Sequence, residues 1–148
     1  MNIEDKIKNI GKISISDKEN QDLFKDSKLI DELKPKDFDS IKTYKLKDKT
    51  VTLIYFYAPW CGYCQRSKDL IEQVADKITF VNIKSFNCEK NKSHANKMNI
   101  DLNKDSNQSL VKGYPTIWLY KNQLPYKKFE QERTLENLIK FCMDNCKK

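Results

Sequence analysis

Apolar positions in this chain are mostly periodic and spaced, with one exception: the run from Val51 to Tyr57, interrupted only by Thr52. Such a run predicts a central strand over 50–57, buried on both faces of a sheet. Two cysteines three residues apart, Cys61 and Cys64, follow it. Then Leu70, Ile71, Val74 and Ala75 recur on one side of a predicted helix over 67–76. A second buried strand is predicted over 78–86, carrying Phe80, Val81, Ile83 and Phe86. A third is predicted over 117–120, turning at Lys121-Asn122-Gln123 toward a hairpin partner over 126–129. Leu135, Leu138, Ile139 and Cys142 form the stripe of a last helix, 135–146, which Thr134 is placed to cap.

The remaining segments are more polar. Residues 28–33 suit a first strand, and Pro35 suits the first turn of a helix running through Phe38 and Ile41. A polar turn is expected over 45–49, a polar helix over 89–98 and a loop over 99–109. Residues 1–27 form an extension in which Ile3, Ile7 and Ile10 fall at helical spacing before Gly11, and Ile13 and Ile15 alternate. Weak docking of that arm on the body is expected. No internal repeat is present. Strands alternating with helices, then a hairpin and a helix, imply an α/β mixed sheet covered by helices on both faces.

Composition narrows the partners. The 148 residues suffice for one domain with its own core. The net charge is +7, and of 28 basic residues only Arg66 and Arg133 are arginine, leaving 26 lysines. Lysine spread over every segment gives solubility and a mild attraction for acidic partners. Nucleic-acid binding is not expected, because no basic stripe interleaved with aromatics is seen. No apolar run approaches a membrane span, so no membrane partner is expected. Residues 1–11 lack the apolar core of a secretory signal, which leads to the expectation of a cytoplasmic protein. There, a Cys-x-x-Cys pair is more often catalytic or metal-binding than structural.

A cysteine where a strand opens into a helix meets unpaired N–H groups and the positive end of the helix dipole. Those features favour the thiolate, the species that attacks disulfides. A second cysteine one turn on can close a short disulfide. Zinc is the competing reading, and it needs two more ligands from Cys88, His94, Cys142 or Cys146. None of these has the spacing of a second ligand pair, so no metal is expected. Cys88 and Cys142 suit core filling and Cys146 an accessible thiol. The single histidine, His94, suits a solvated surface.

Phe56-Tyr-Ala-Pro-Trp-Cys-Gly-Tyr-Cys64, followed about fifty residues later by Val111-Lys-Gly-Tyr-Pro-Thr-Ile117, resembles the thioredoxin superfamily, closest to protein disulfide isomerase domains. The resemblance spans roughly 28–146. It implies a thioredoxin-like domain over 28–148, bearing a loop insertion at 99–110. Cys61 then matches the nucleophile and Cys64 the buried resolving thiol. Trp60 matches the tryptophan flanking the disulfide, and Gly62 and Tyr63 the dipeptide that tunes redox potential. Pro115 matches a cis-proline, which with Trp60 and the Tyr114 backbone would meet substrate. No cofactor is implied beyond a Cys61–Cys64 disulfide.

Two departures concern proton transfer. The family usually buries an acid six positions before the first cysteine, where this chain has Tyr55. Its lysine partner aligns with Ser85, and Lys84 falls on the opposite strand face. Losing both together is coherent, since an unpaired buried charge is costly. Water or the Tyr55 hydroxyl is expected to assist turnover. Tyr63, where isomerases carry histidine, suggests a less oxidising disulfide. The 99–110 insertion is a tolerated surface loop or a border of the substrate groove.

The expected activity is thiol–disulfide exchange on protein disulfides and dithiols by a monomer working with a redox partner. The alternative is a non-catalytic, chaperone-like binding module. A virion or the endoplasmic reticulum is the alternative setting.

Overall fold

A computed structural model describes residues 21–100 and 108–146. Five strands form the main sheet: β1 (Asp31–Leu33), β2 (Thr52–Tyr57), β3 (Asn82–Asn87), β6 (Thr116–Lys121) and β7 (Leu124–Lys128), in the order β1-β3-β2-β6-β7. The pairs β1–β3 and β3–β2 are parallel, and β2–β6 and β6–β7 antiparallel. The sheet is mixed, with β2 at its centre. Every residue of β2 is buried, as its apolar run from Leu53 to Tyr57 requires.

The alternation of β2 divides the core between two faces. Leu53, Tyr55 and Tyr57 join Cys64, Ile71 and Val74 of helix α1 (Gly62–Lys77) and Leu138, Phe141 and Cys142 of helix α3 (Leu135–Asn145). Ile54 and Phe56 face Phe38, Leu46, Phe86, Met98 and Tyr120 on the other side. Thr134 caps α3, its hydroxyl accepting the Asn137 N–H at 3.0 Å. Phe129 and Phe141 meet edge to face at 5.3 Å, holding that helix to the sheet.

Local chemistry overrides the expected periodicity in several places. The helix expected after Pro35 is only a 3-10 turn, Pro35–Asp37. The Asp39 carboxylate accepts the N–H groups of Ile41 and Lys42, both at 2.8 Å, and so takes donors a helix would need. Phe38 turns into the core, while Ile41 is left 89 % exposed. The second long strand starts at Asn82 rather than Ile78, leaving Phe80 on the surface. The polar helix contracts to α2 (Lys92–Asn96).

The expected loop 99–109 begins and ends in a small antiparallel ladder, β4 (Asn99–Ile100) with β5 (Gln108–Ser109). Residues 101–107, most of that insertion, lie outside the described residues. So do residues 1–20 of the expected extension. Its last part, 21–27, is docked: Phe24 is buried against Tyr55 and Tyr57, with ring centres at 5.7 and 5.9 Å.

The β6–β7 hairpin turns at Asn122 and Gln123, whose φ values are 53° and 73°. Gln123 tolerates this unusual backbone because the 46–47 segment holds it. Its carbonyl accepts the Leu46 N–H, and its amide donates to the Leu46 and Lys47 carbonyls. Pro125 lies in β7, an edge strand, where its missing N–H does little harm. No helix among the described residues is long and apolar enough to cross a membrane.

Candidate active site

The two cysteines sit where β2 hands over to α1. Cys61 is the N-cap, and its sulfur accepts the Cys64 N–H at 3.4 Å. The helix therefore starts five residues before the predicted span 67–76. Ahead of the cap, Cys61 N–H binds Ala58 O at 3.1 Å. The Gln65 amide then reaches back to Pro59 O at 2.7 Å, tying down the turn that carries Trp60. Cys61 keeps a small exposed area, whereas Cys64 has none.

Opposite the cysteines, the Tyr114–Pro115 peptide bond is cis. The Cys61 thiol points at Tyr114 O, 3.6 Å away. The Tyr114 ring meets Trp60 edge to face at 5.9 Å, and its hydroxyl lies near the Cys88 thiol. Burial raises both of those groups, to about 12 each. Trp60 and Tyr63 are more than half exposed and flank the pair on the surface. The structure thus brings Trp60, Cys61, Gly62, Tyr63, Cys64, Tyr114 and Pro115 together from two distant segments.

Burial also raises the Cys64 thiol far above the ordinary range, and its hydrogen bond with Cys61 adds to the effect. The Arg133 guanidinium acts in the opposite sense. Tyr55 lies close by, but its hydroxyl donates to Cys64 O at 2.9 Å rather than to the sulfur. Burial raises that phenol as well, the neighbouring Cys64 second. Ser85 is the cross-strand partner of Tyr55, whereas Lys84 leaves the other face and pairs with Asp31 at 2.7 Å.

An acid nevertheless lies half-buried nearby, at a position the sequence pattern does not single out. Glu32 of β1 is the cross-strand partner of Ser85, so Glu32, Ser85 and Tyr55 lie in one row over three strands. Its carboxyl accepts the Tyr57 hydroxyl and the Phe24 N–H, while the second oxygen, Oε1, is buried with no hydrogen-bond partner among the described residues. Desolvation dominates and raises this carboxyl above its ordinary value. A lone Glu in a polar edge segment carries no periodic signal of burial.

The remaining candidates stay apart. Cys88 and Cys142 fill the core, and Cys146 is partly covered beside Cys142. His94 is not the solvated residue expected. Its ring packs on Phe38 at 5.2 Å, and Nε2 lies 2.9 Å from Thr43 O. Among the described residues, no three His, Cys, Asp or Glu side chains form a group that could hold a metal.

Comparison with known proteins agrees with this geometry. The Thioredoxin family model matches residues 30–144. A probable protein disulfide-isomerase A6 from Medicago sativa is 38 % identical over 93 residues, covering 60 % of this chain and 22 % of its own. Protein disulfide isomerase-like 1-1 from Arabidopsis thaliana is 33 % identical over 107 residues, covering 72 % of this chain and 20 % of its own. The chain thus spans about a fifth of the length of these relatives. Among solved structures, the Trx4 domain of ERdj5 superposes with a TM-score of 0.61 at 21 % identity, over 80 % of this chain and 96 % of that one. Human ERp44 gives 0.60 at 19 %, over 79 % and 33 %. These two establish the fold.

Proposed function

The chain belongs to the thioredoxin family, and from that premise we propose that it is a thiol–disulfide oxidoreductase acting on proteins through Cys61 and Cys64. The observation that carries this reading is Cys61 at the head of α1, with a backbone N–H on its sulfur and the Tyr114–Pro115 loop opposite.

In the reductive direction, the Cys61 thiolate attacks one sulfur of a substrate disulfide. A Cys61–substrate disulfide forms, and the other substrate sulfur leaves as a thiolate. Cys64 then loses its proton and attacks the Cys61 sulfur, forming the Cys61–Cys64 disulfide and releasing the second substrate thiolate. Two electrons pass from the enzyme dithiol to the substrate. Run backwards, the oxidised pair gives its disulfide to a substrate dithiol, and a partner dithiol or disulfide resets the enzyme.

Resolution is the demanding half, because the thiol that must lose its proton is fully buried. Arg133 favours the anion there. Tyr55 positions the first turn of α1 through Cys64 O, and water takes up the proton. Trp60, Tyr114 and Pro115 form the wall against which an extended substrate segment lies. Similarity to protein disulfide isomerases supports an endoplasmic-reticulum setting over the cytosol expected from the first residues. A holding module without turnover is the alternative, favoured by the burial of Cys64 and by the loss of the family's acid at position 55.

Trapping tests the proposal. Cys64→Ser incubated with a disulfide-bearing protein is expected to give a reductant-sensitive covalent adduct through Cys61. Cys61→Ser should give none. The unsubstituted chain should reduce insulin in the presence of dithiothreitol. An adduct without insulin reduction selects the holding module, and no adduct overturns the oxidoreductase reading.

A further inference from the structure

The chain carries 26 lysines and two arginines, and both arginines converge on one side chain. The guanidinium carbon of Arg66 lies 4.7 Å from the centre of the Tyr63 ring, and that of Arg133 lies 5.9 Å from the same centre. Tyr63 stands between the two cysteines in sequence and is 61 % exposed. Gly62 gives Arg66 room to fold back: a Cβ there would sit 3.1 Å from its Nη1. Among the described residues, no carboxylate lies within ion-pairing distance of either guanidinium, although Glu130 and Glu132 share the loop of Arg133. Glu89, the carboxylate felt by the site, acts on Cys88 and Tyr114 instead.

Arginine differs from lysine in ways that matter at such a place. Its flat guanidinium stacks on an aromatic face and still presents a fork of N–H donors at its edge. Stacking on Tyr63 pre-orders these forks, which lessens the ordering lost when a ligand binds. An unpaired fork on an exposed platform matches a carboxylate bidentately. Two of them meet on Tyr63, the residue that precedes Cys64 and follows Gly62 in the Cys61–Cys64 turn.

We propose that Tyr63, Arg66 and Arg133 form a specificity surface for acidic protein segments, selecting disulfides and dithiols whose reacting cysteine is flanked by Asp or Glu. The inference rests on the oxidoreductase reading above and names its preferred substrate class. Overall positive charge would attract acidic partners too, but diffusely and in a salt-screened manner. The arginine surface makes the preference local.

The test uses three disulfide-bonded peptides that differ only in the residues flanking one cysteine, with two Glu, two Gln or two Lys. The ratio of kcat/KM for the Glu peptide over the Gln peptide is expected to be about tenfold, the effect of one charge-assisted contact. Arg66→Gln/Arg133→Gln should bring that ratio close to one, and Arg66→Lys should lower it in part. Lys36→Gln/Lys47→Gln, which removes equal charge elsewhere, should leave the ratio unchanged. A ratio insensitive to the arginines, or lost equally in the lysine variant, overturns the proposal. Peptides carrying Ser for Cys are titrated calorimetrically in parallel. Their Glu-over-Gln affinity ratio must follow the same order among variants. Inactivity toward all three disulfides would count against the oxidoreductase reading, and these affinities would still decide the surface.

Discussion

Tyr55 stands opposite Ser85 across the β2–β3 pairing, both side chains buried on the face that carries Cys64. Elsewhere in the family these are the places of an acid and its lysine. Here they hold two neutral hydroxyls, and the larger one donates to the Cys64 carbonyl. The Tyr55 hydroxyl is thus a strut to the first turn of α1 and is not directed at the Cys64 sulfur.

Tyr55→Phe is therefore expected to lower stability by about 1 kcal/mol, the usual loss for one neutral hydrogen bond. The pH dependence of mixed-disulfide resolution should not change, because that hydroxyl is directed at the Cys64 carbonyl. Tyr55→Glu should change the profile, by placing a proton acceptor beside Cys64 at a cost in stability. Urea unfolding and stopped-flow decay of the adduct measure the two effects. Identical profiles for Tyr55→Glu and the parent would remove this account.

Arg133→Gln should slow resolution at neutral pH. The guanidinium lowers the Cys64 value against its burial, so removal lets that value rise and less thiolate is present at any given pH. The rate–pH curve for adduct decay should move to the alkaline side. A move to the acid side contradicts the assignment.

Glu32 ties stability to pH. Its carboxyl is raised in the folded chain, so the folded state holds that proton more tightly than the unfolded one. The stability it contributes is present below the ordinary carboxyl range and is lost as pH rises through the raised value. Each unit by which the two values differ is worth about 1.4 kcal/mol. Glu32→Gln keeps an acceptor for Tyr57 and Phe24 but cannot ionise. The parent should thus lose stability relative to the variant as pH rises above the ordinary carboxyl value, a difference that thermal unfolding at a series of pH values reads. A flat difference would show that Glu32 ionises freely.

The thiols should separate on alkylation of the reduced, folded chain at about the ordinary thiol pKa. Cys88 and Cys142, buried and raised to about 12, should resist iodoacetamide until urea unfolds the protein. Cys146, raised but only partly covered, should react first among these three. Mass spectrometry of timed digests reads the order. Early modification of Cys142 would show that α3 opens.

Much of the frame was legible because it depends on neighbours in sequence. The run Val51–Tyr57 reads as a buried strand and is one, Cys61-Gly-Tyr-Cys64 beside it marked the candidate site, and Thr134 announced the last helix. Local competition defeated other readings. The Asp39 side chain captured two N–H groups and stopped a helix that Pro35, Phe38 and Ile41 suggest. His94 lay in a polar stretch, yet Phe38 and Phe86 approach it from elsewhere in the chain.

The sequence by itself determined the class of fold, the order of the main strands and helices, and the identity of the cysteine pair, since spacing and alternation are properties of adjacent residues. Only the tertiary structure decided which distant side chains share a neighbourhood: Phe24 against Tyr55, Glu32 in the row of Ser85, and Arg133 beside Arg66 over Tyr63. Such meetings follow from how strands cross over and helices pack, and no periodicity along the chain encodes them. Of these residues, Arg133 also bears on the buried Cys64 thiol, opposing the rise that burial imposes.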